Sequence, residues 1–94
     1  MLTKAVRFRS PKYLRFIREQ RCVSCGATPS EAHHLKGVRY LSGVGLKAGD
    51  NYAVPLCRRC HSRLHEGRIE KEEQWQWLAL TASKAVVELI EGRL

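Results

Sequence analysis

Apolar positions recur at helical spacing in two stretches of the chain and gather into short runs in two others. In SPKYLRFIREQ, residues 10–20, the apolar stripe is Tyr13, Leu14, Phe16 and Ile17. Ser10 is a good N-cap and Pro11 suits the first helical position, so the stretch predicts a helix of about two to three turns. From Glu70 to Glu91, Trp75, Leu78, Ala82, Val86, Leu89 and Ile90 return at helical spacing, and Gly92 closes the run. One long amphipathic helix over 70–91 is expected, with this stripe as its core or dimer face. Between the two lies a different rhythm. TPSEAHHLKG passes from turn residues into a short strand ended by Gly37, and YAVPL reads as a second strand whose Pro55 restricts it to a strand end or an edge. CRRCHSRLHEG opens a short helix that Gly67 stops. Gly37, Gly43, Gly45 and Gly49 are irregularly spaced, which predicts a loop or loose hairpin there and does not fit a P-loop. MLTKAVRFR has three basic residues and no clear cap, so residues 1–9 are expected as a flexible arm. The pattern is that of one small α+β domain over residues 1–94.

Charge narrows the classes of partner. The chain has 17 Lys and Arg against 9 Asp and Glu, a formal net charge of +8 in 94 residues. So basic a small domain is drawn to a polyanion, and DNA is the expected partner. No stretch approaches the roughly 18 apolar residues of a membrane span, so a membrane is not expected.

Cysteine spacing adds a staple. A domain this small buries little apolar surface, and its four cysteines form two pairs, Cys22-x-x-Cys25 and Cys57-x-x-Cys60. The first residues lack the apolar run of a signal peptide, which points to a reducing cytoplasm. There, two CxxC pairs predict a structural tetrahedral Zn(II) rather than two disulfides. A thioredoxin-like reading would need a buried strand before a CxxC, and REQRCVSCGATPS has none.

All four histidines lie between or just after these cysteines: His33, His34, His61 and His65. His61 and His65, four apart, share one face of the predicted helix. His33 and His34 are neighbours on the predicted strand and point to opposite faces, so they are expected to do different jobs. Asp50 and Asn51 enter the second strand, where the bland alternative for either is an Asx turn.

Taken together, Cys22-x-x-Cys25, AHH, DN ahead of an apolar strand, and PLCRRCH resemble the HNH endonucleases of the ββα-metal type. Within that family SPKYLRFIREQ, AHHLKG, GLKAGDNYAVPLCRRCHSRLH and a Trp-bearing C-terminal helix look most like small phage and prophage nucleases related to the recombination-enhancement protein Ref. The resemblance spans roughly residues 10–77. It implies a zinc-stapled ββα-metal motif that hydrolyses DNA phosphodiester bonds, phage or prophage encoded and working in the bacterial cytoplasm. By this resemblance His33 and His61 hold a catalytic divalent ion, Mg(II) or Mn(II), with His65 as a further ligand or phosphate contact. His34 is the general base that activates water, and Asp50 or Asn51 takes the orienting place. Products would carry 5′ phosphate and 3′ hydroxyl ends. Lys36, Arg39 and Lys47 in the loop, with Arg58, Arg59, Arg63 and Arg68 around the short helix, are expected to hold the DNA backbone. The rivals are a non-catalytic zinc-binding nucleic-acid module and a recombination accessory protein working with a recombinase.

Overall fold

The computed structural model describes residues 8–35 and 49–94. The expected basic residues Lys36, Arg39 and Lys47, and most of the expected arm, lie outside the described residues. The elements run α1 (Pro11–Arg18), β1 (Glu31–His34), a 3₁₀ turn (Asp50–Tyr52), β2 (Ala53–Leu56), α2 (Arg58–His65) and α3 (Lys71–Ile90). This is a small α+β fold with a two-stranded sheet and three helices among the described residues. No described helix is long and apolar enough to cross a membrane.

Helix α1 forms where its cap and proline allow it. The Ser10 hydroxyl accepts from the Tyr13 amide, Pro11 opens the first turn, and Phe16 and Ile17 are buried on one face. The strands pair antiparallel, with Glu31 opposite Leu56, Ala32 opposite Pro55, His33 opposite Val54 and His34 opposite Ala53. Pro55 is tolerated because the sheet has only edges. Its carbonyl turns outward to accept from the Val23 amide at 2.9 Å, which binds the first cysteine turn to β2.

All of β2 is buried, and its alternation divides the core. Val54 and Leu56 join Cys22, Leu35, Cys57, Cys60, Ile69 and Trp77 on one side. Ala53 joins Phe16, Ile17 and Ala85 on the other. Directly opposite residues share a face, so Glu31 and His33 lie with Leu56 and Val54, and His34 lies with Ala53. That division decides which side of the sheet each polar side chain serves.

Helix α3 has nearly the expected bounds but packs through a different stripe. Its buried residues are Trp77, Thr81 and Ala85, spaced four apart. Trp75, Val86, Leu89 and Ile90, expected on a core or dimer face, lie outside this chain's core, and Ile90 is 79% exposed. The helix carries apolar residues on two faces, and hydropathy alone does not rank them. The short sheet accepts only one, and the large indole of Trp77 fills the space over Val54 and Leu56.

Two substitutions separate the stripes. Trp77, 3% exposed, and Trp75, 45% exposed, differ only in facing. Trp77→Ala should cost about 3–5 kcal/mol in zinc-containing buffer, and Trp75→Ala about 1 kcal/mol or less, read from urea midpoints. The opposite order would assign the packed face to the Trp75 stripe.

Candidate functional site

Four thiols meet where the first turn, the end of β2 and the start of α2 converge. The chain turns back at Cys22, with Gly26 N–H bonded to the Cys22 carbonyl at 2.8 Å and Gly26 at φ +80°, a conformation a Cβ would strain. Cys57 caps α2, and Cys60 lies three residues on, on the same helical face. The sulfurs of Cys22, Cys25, Cys57 and Cys60 all lie within 4.8 Å of one another, and Cys25 Sγ is 3.7 Å from Cys57 Sγ. Tetrahedral zinc with bonds of about 2.3 Å needs sulfurs about 3.8 Å apart, so this cluster could hold a zinc ion. Burial pushes the Cys22 thiol up, but amide donors at Cys57, Cys25 and Ser24 and the Cys25 thiol outweigh it, bringing it down to about 7. At Cys60 burial again raises the thiol, the Ser24 hydroxyl opposes, and the three other thiols add to the rise, to about 12. A dication bound by thiolates relieves the mutual repulsion that keeps these protons in place.

Three imidazoles gather on the α2 side of the sheet. His33, His61 and His65 each offer a ring nitrogen within 4.8 Å of the others. Ring centroids are 4.4 Å apart for His33 and His61, 4.6 Å for His61 and His65, and 5.7 Å for His33 and His65. His61 Nδ1–H donates to Glu31 Oε1 at 3.0 Å, which leaves Nε2 bare and 2.9 Å from His65 Nε2. A carboxylate on the far nitrogen fixes the imidazole's tautomer and direction, as in many metal sites. Hydrogen bonding from His61, reinforced by the Arg58 charge, outweighs desolvation and holds the Glu31 carboxyl below its ordinary value. Arg58 reaches the other Glu31 oxygen at 3.4 Å.

His34, on the opposite face, has a different partner. Its Nε2–H donates to Asp50 Oδ1 at 2.8 Å. Asp50 is 2% exposed, and its other oxygen accepts from the Ser10 amide at 2.6 Å. Burial pushes this carboxyl up, but the bonds from His34 and Ser10 and the charges of His34 and Arg9 overcome it and hold it low. The alternative between Asp50 and Asn51 thus has a geometric answer for contact: Asp50 holds His34, and Asn51 is exposed in the same 3₁₀ turn.

The described arginines of α2 and its C-terminal end lie at different places around the helix. Arg58 shares the histidine face of α2 through Glu31, whereas Arg59 and Arg63 are exposed and each lie two residues from His61, off its helical face. Arg68 pairs with Glu66 at 3.2 Å. Sequence reasoning missed Glu31 and Arg9. Strand alternation carried the signal for Glu31, two residues before His33 and so on its face. Arg9 has no local signal, because its place beside Asp50 depends on contact across the chain.

A family model described as protein of unknown function (DUF968) matches residues 1–86. An Escherichia coli (strain K12) protein, called uncharacterized protein YdfU, is 36% identical over 74 residues, 79% of this chain and 21% of that protein. The chain therefore spans about a fifth of the length of this relative. No solved structure matches.

The thiol cluster predicts one tightly held zinc per chain by elemental analysis. Strong chelation should unfold the domain, because zinc binding on the order of 10 kcal/mol becomes folding free energy. Cys60→Ser should do the same, and circular dichroism unchanged by zinc removal would contradict it.

Proposed function

This chain belongs to the DUF968 family, and for it we propose a metal-dependent DNA endonuclease of HNH type. The observation that carries this reading is the division of labour between neighbours on β1. His33 faces His61 and His65, while His34 faces Asp50. A hydrolytic site needs both arrangements: imidazoles grouped to hold a dication, and one imidazole kept off it to take a proton.

His33, His61 and His65 would hold the divalent ion, and Glu31 aims His61 Nε2 toward it. When bound, such an ion stabilises negative charge on a phosphoryl group and on the leaving 3′ oxygen. Neutral imidazoles suit Mn(II), Zn, Ni or Co, and Mg(II) through its waters. His34 does the proton chemistry. In its neutral form, a ring that gives Nε2–H to Asp50 has Nδ1 left over, the nitrogen that would accept a proton from the attacking water. Asp50 keeps the ring in that tautomer and stabilises the imidazolium that forms. Because the Ser10 amide holds the second Asp50 oxygen, the carboxylate stays fixed as His34 charges. The +8 charge and the exposed arginines of α2 favour a polyanion as substrate.

A plasmid-nicking assay over Mg(II), Mn(II), Zn, Ni and Co, with EDTA as control, tests the reading. His34→Ala should keep zinc, fold and DNA affinity while losing about 100- to 10,000-fold in cleavage. His33→Ala and His61→Ala should lose cleavage in a way that raised metal concentration partly restores. Wild-type protein that binds DNA and never cuts it would favour the non-catalytic zinc module. His34→Ala cutting at the wild-type rate would end the proposed mechanism.

A further inference from the structure

Arg9 is placed against the His34 and Asp50 pair by its neighbours in the chain. The Phe8 carbonyl accepts from the Asp50 amide at 2.8 Å, and the Ser10 amide donates to Asp50 Oδ2 at 2.6 Å. A Cβ at Gly49 would stand 3.2 Å from Phe8 N and 3.3 Å from Phe8 O, so the two segments are pressed together. Arg9, between two residues tied to Asp50, has its backbone fixed at the site. Its guanidinium Nη1 lies 3.6 Å from Asp50 Oδ1, the oxygen that already accepts from His34 Nε2.

That ion pair does not use up the arginine. Charge-assisted bonds of this kind close to about 2.7–2.9 Å, and Asp50 already has a close partner on each oxygen without Arg9. The Arg9 side chain is 53% exposed while that of Asp50 is 3% exposed. A guanidinium has five donors in a planar fork matched to phosphate oxygens. An exposed guanidinium converging with an imidazole on one buried carboxylate has the chemistry to hold a phosphodiester whose attacking water that imidazole activates.

We propose that Arg9 is a catalytic residue that grips the non-bridging oxygens of the attacked phosphodiester, beside the His34 base. This rests on the nuclease reading above. Bound there, the guanidinium offsets charge that grows on the phosphoryl oxygens as the water oxygen bonds to phosphorus and the 3′ oxygen departs. Its positive charge is present before substrate arrives, so no reorganisation is needed during reaction.

The test compares wild type, Arg9→Ala and Arg9→Lys on bis(4-nitrophenyl) phosphate and on plasmid DNA, with melting temperature and metal content measured in parallel. Arg9→Ala should lose about 100-fold in kcat on both substrates with zinc retained, and Arg9→Lys should recover part of it. Added guanidinium ion should restore Arg9→Ala and leave His34→Ala inactive. Loss on plasmid alone would place Arg9 on DNA away from the cut and overturn the proposal. Loss without guanidinium rescue would make Arg9 a structural tether, and no loss would remove any role. If Arg9→Ala does not fold, Arg9→Gln takes its place. If wild type cleaves neither substrate, the nuclease reading fails by itself. Calorimetric titration with inorganic phosphate then decides separately: weaker binding by Arg9→Gln supports the grip, and equal binding overturns it.

Discussion

Four sulfur atoms drawn within 4.8 Å of one another are the constraint on which the other features of this small fold depend. They come from a turn at residues 22–25 and from the first turn of α2, and between those lie both strands. A two-stranded sheet is marginal by itself, and here α2 and α3 supply core residues on one side and α1 and α3 on the other. Thiolate coordination would secure the same junction that the Val23 amide and Pro55 carbonyl already bridge. It also sets where α2 begins, since Cys57 caps that helix. The positions of His61 and His65 follow from that start and from the four-residue spacing between them.

The sheet then distributes the chemistry. Strand alternation sends Glu31 and His33 to α2, where a carboxylate and three imidazoles meet, and sends His34 to the 3₁₀ turn and the start of α1. Neither set is complete within one element. The first joins β1 to α2 and the second joins β1 to residues 9, 10 and 50. A staple that holds these elements together is therefore also what holds each ring at its partner.

Local signals in the sequence reached as far as local physics reaches. The cap at Ser10, the proline at the start of α1 and the end of α2 at Gly67 follow from short-range backbone rules, and the structure has each of them. Cysteine spacing foretold a cluster because both pairs bring their own sulfurs close. The packed face of α3 was not legible, since Trp75 and Trp77 differ by their facing and a helix with two apolar stripes does not say which one meets a sheet. Asp50 could not be separated from Asn51 until the Ser10 amide and His34 supplied the distinction. Arg9 was invisible for the same reason: the adjacent Ser10–Asp50 bond closes across 40 positions of chain.

The central claim is that the cysteine and histidine clusters hold two ions of different kinds and different tasks. Titration of the metal-free protein with Co(II), followed by absorption, tests it most directly. The first equivalent should give thiolate charge-transfer bands and intense tetrahedral bands, and the second only the weak bands of nitrogen and oxygen ligation. His33→Ala should weaken the second step and leave the first unchanged. A single step, or a second step with thiolate bands that survives His33→Ala, would contradict the account.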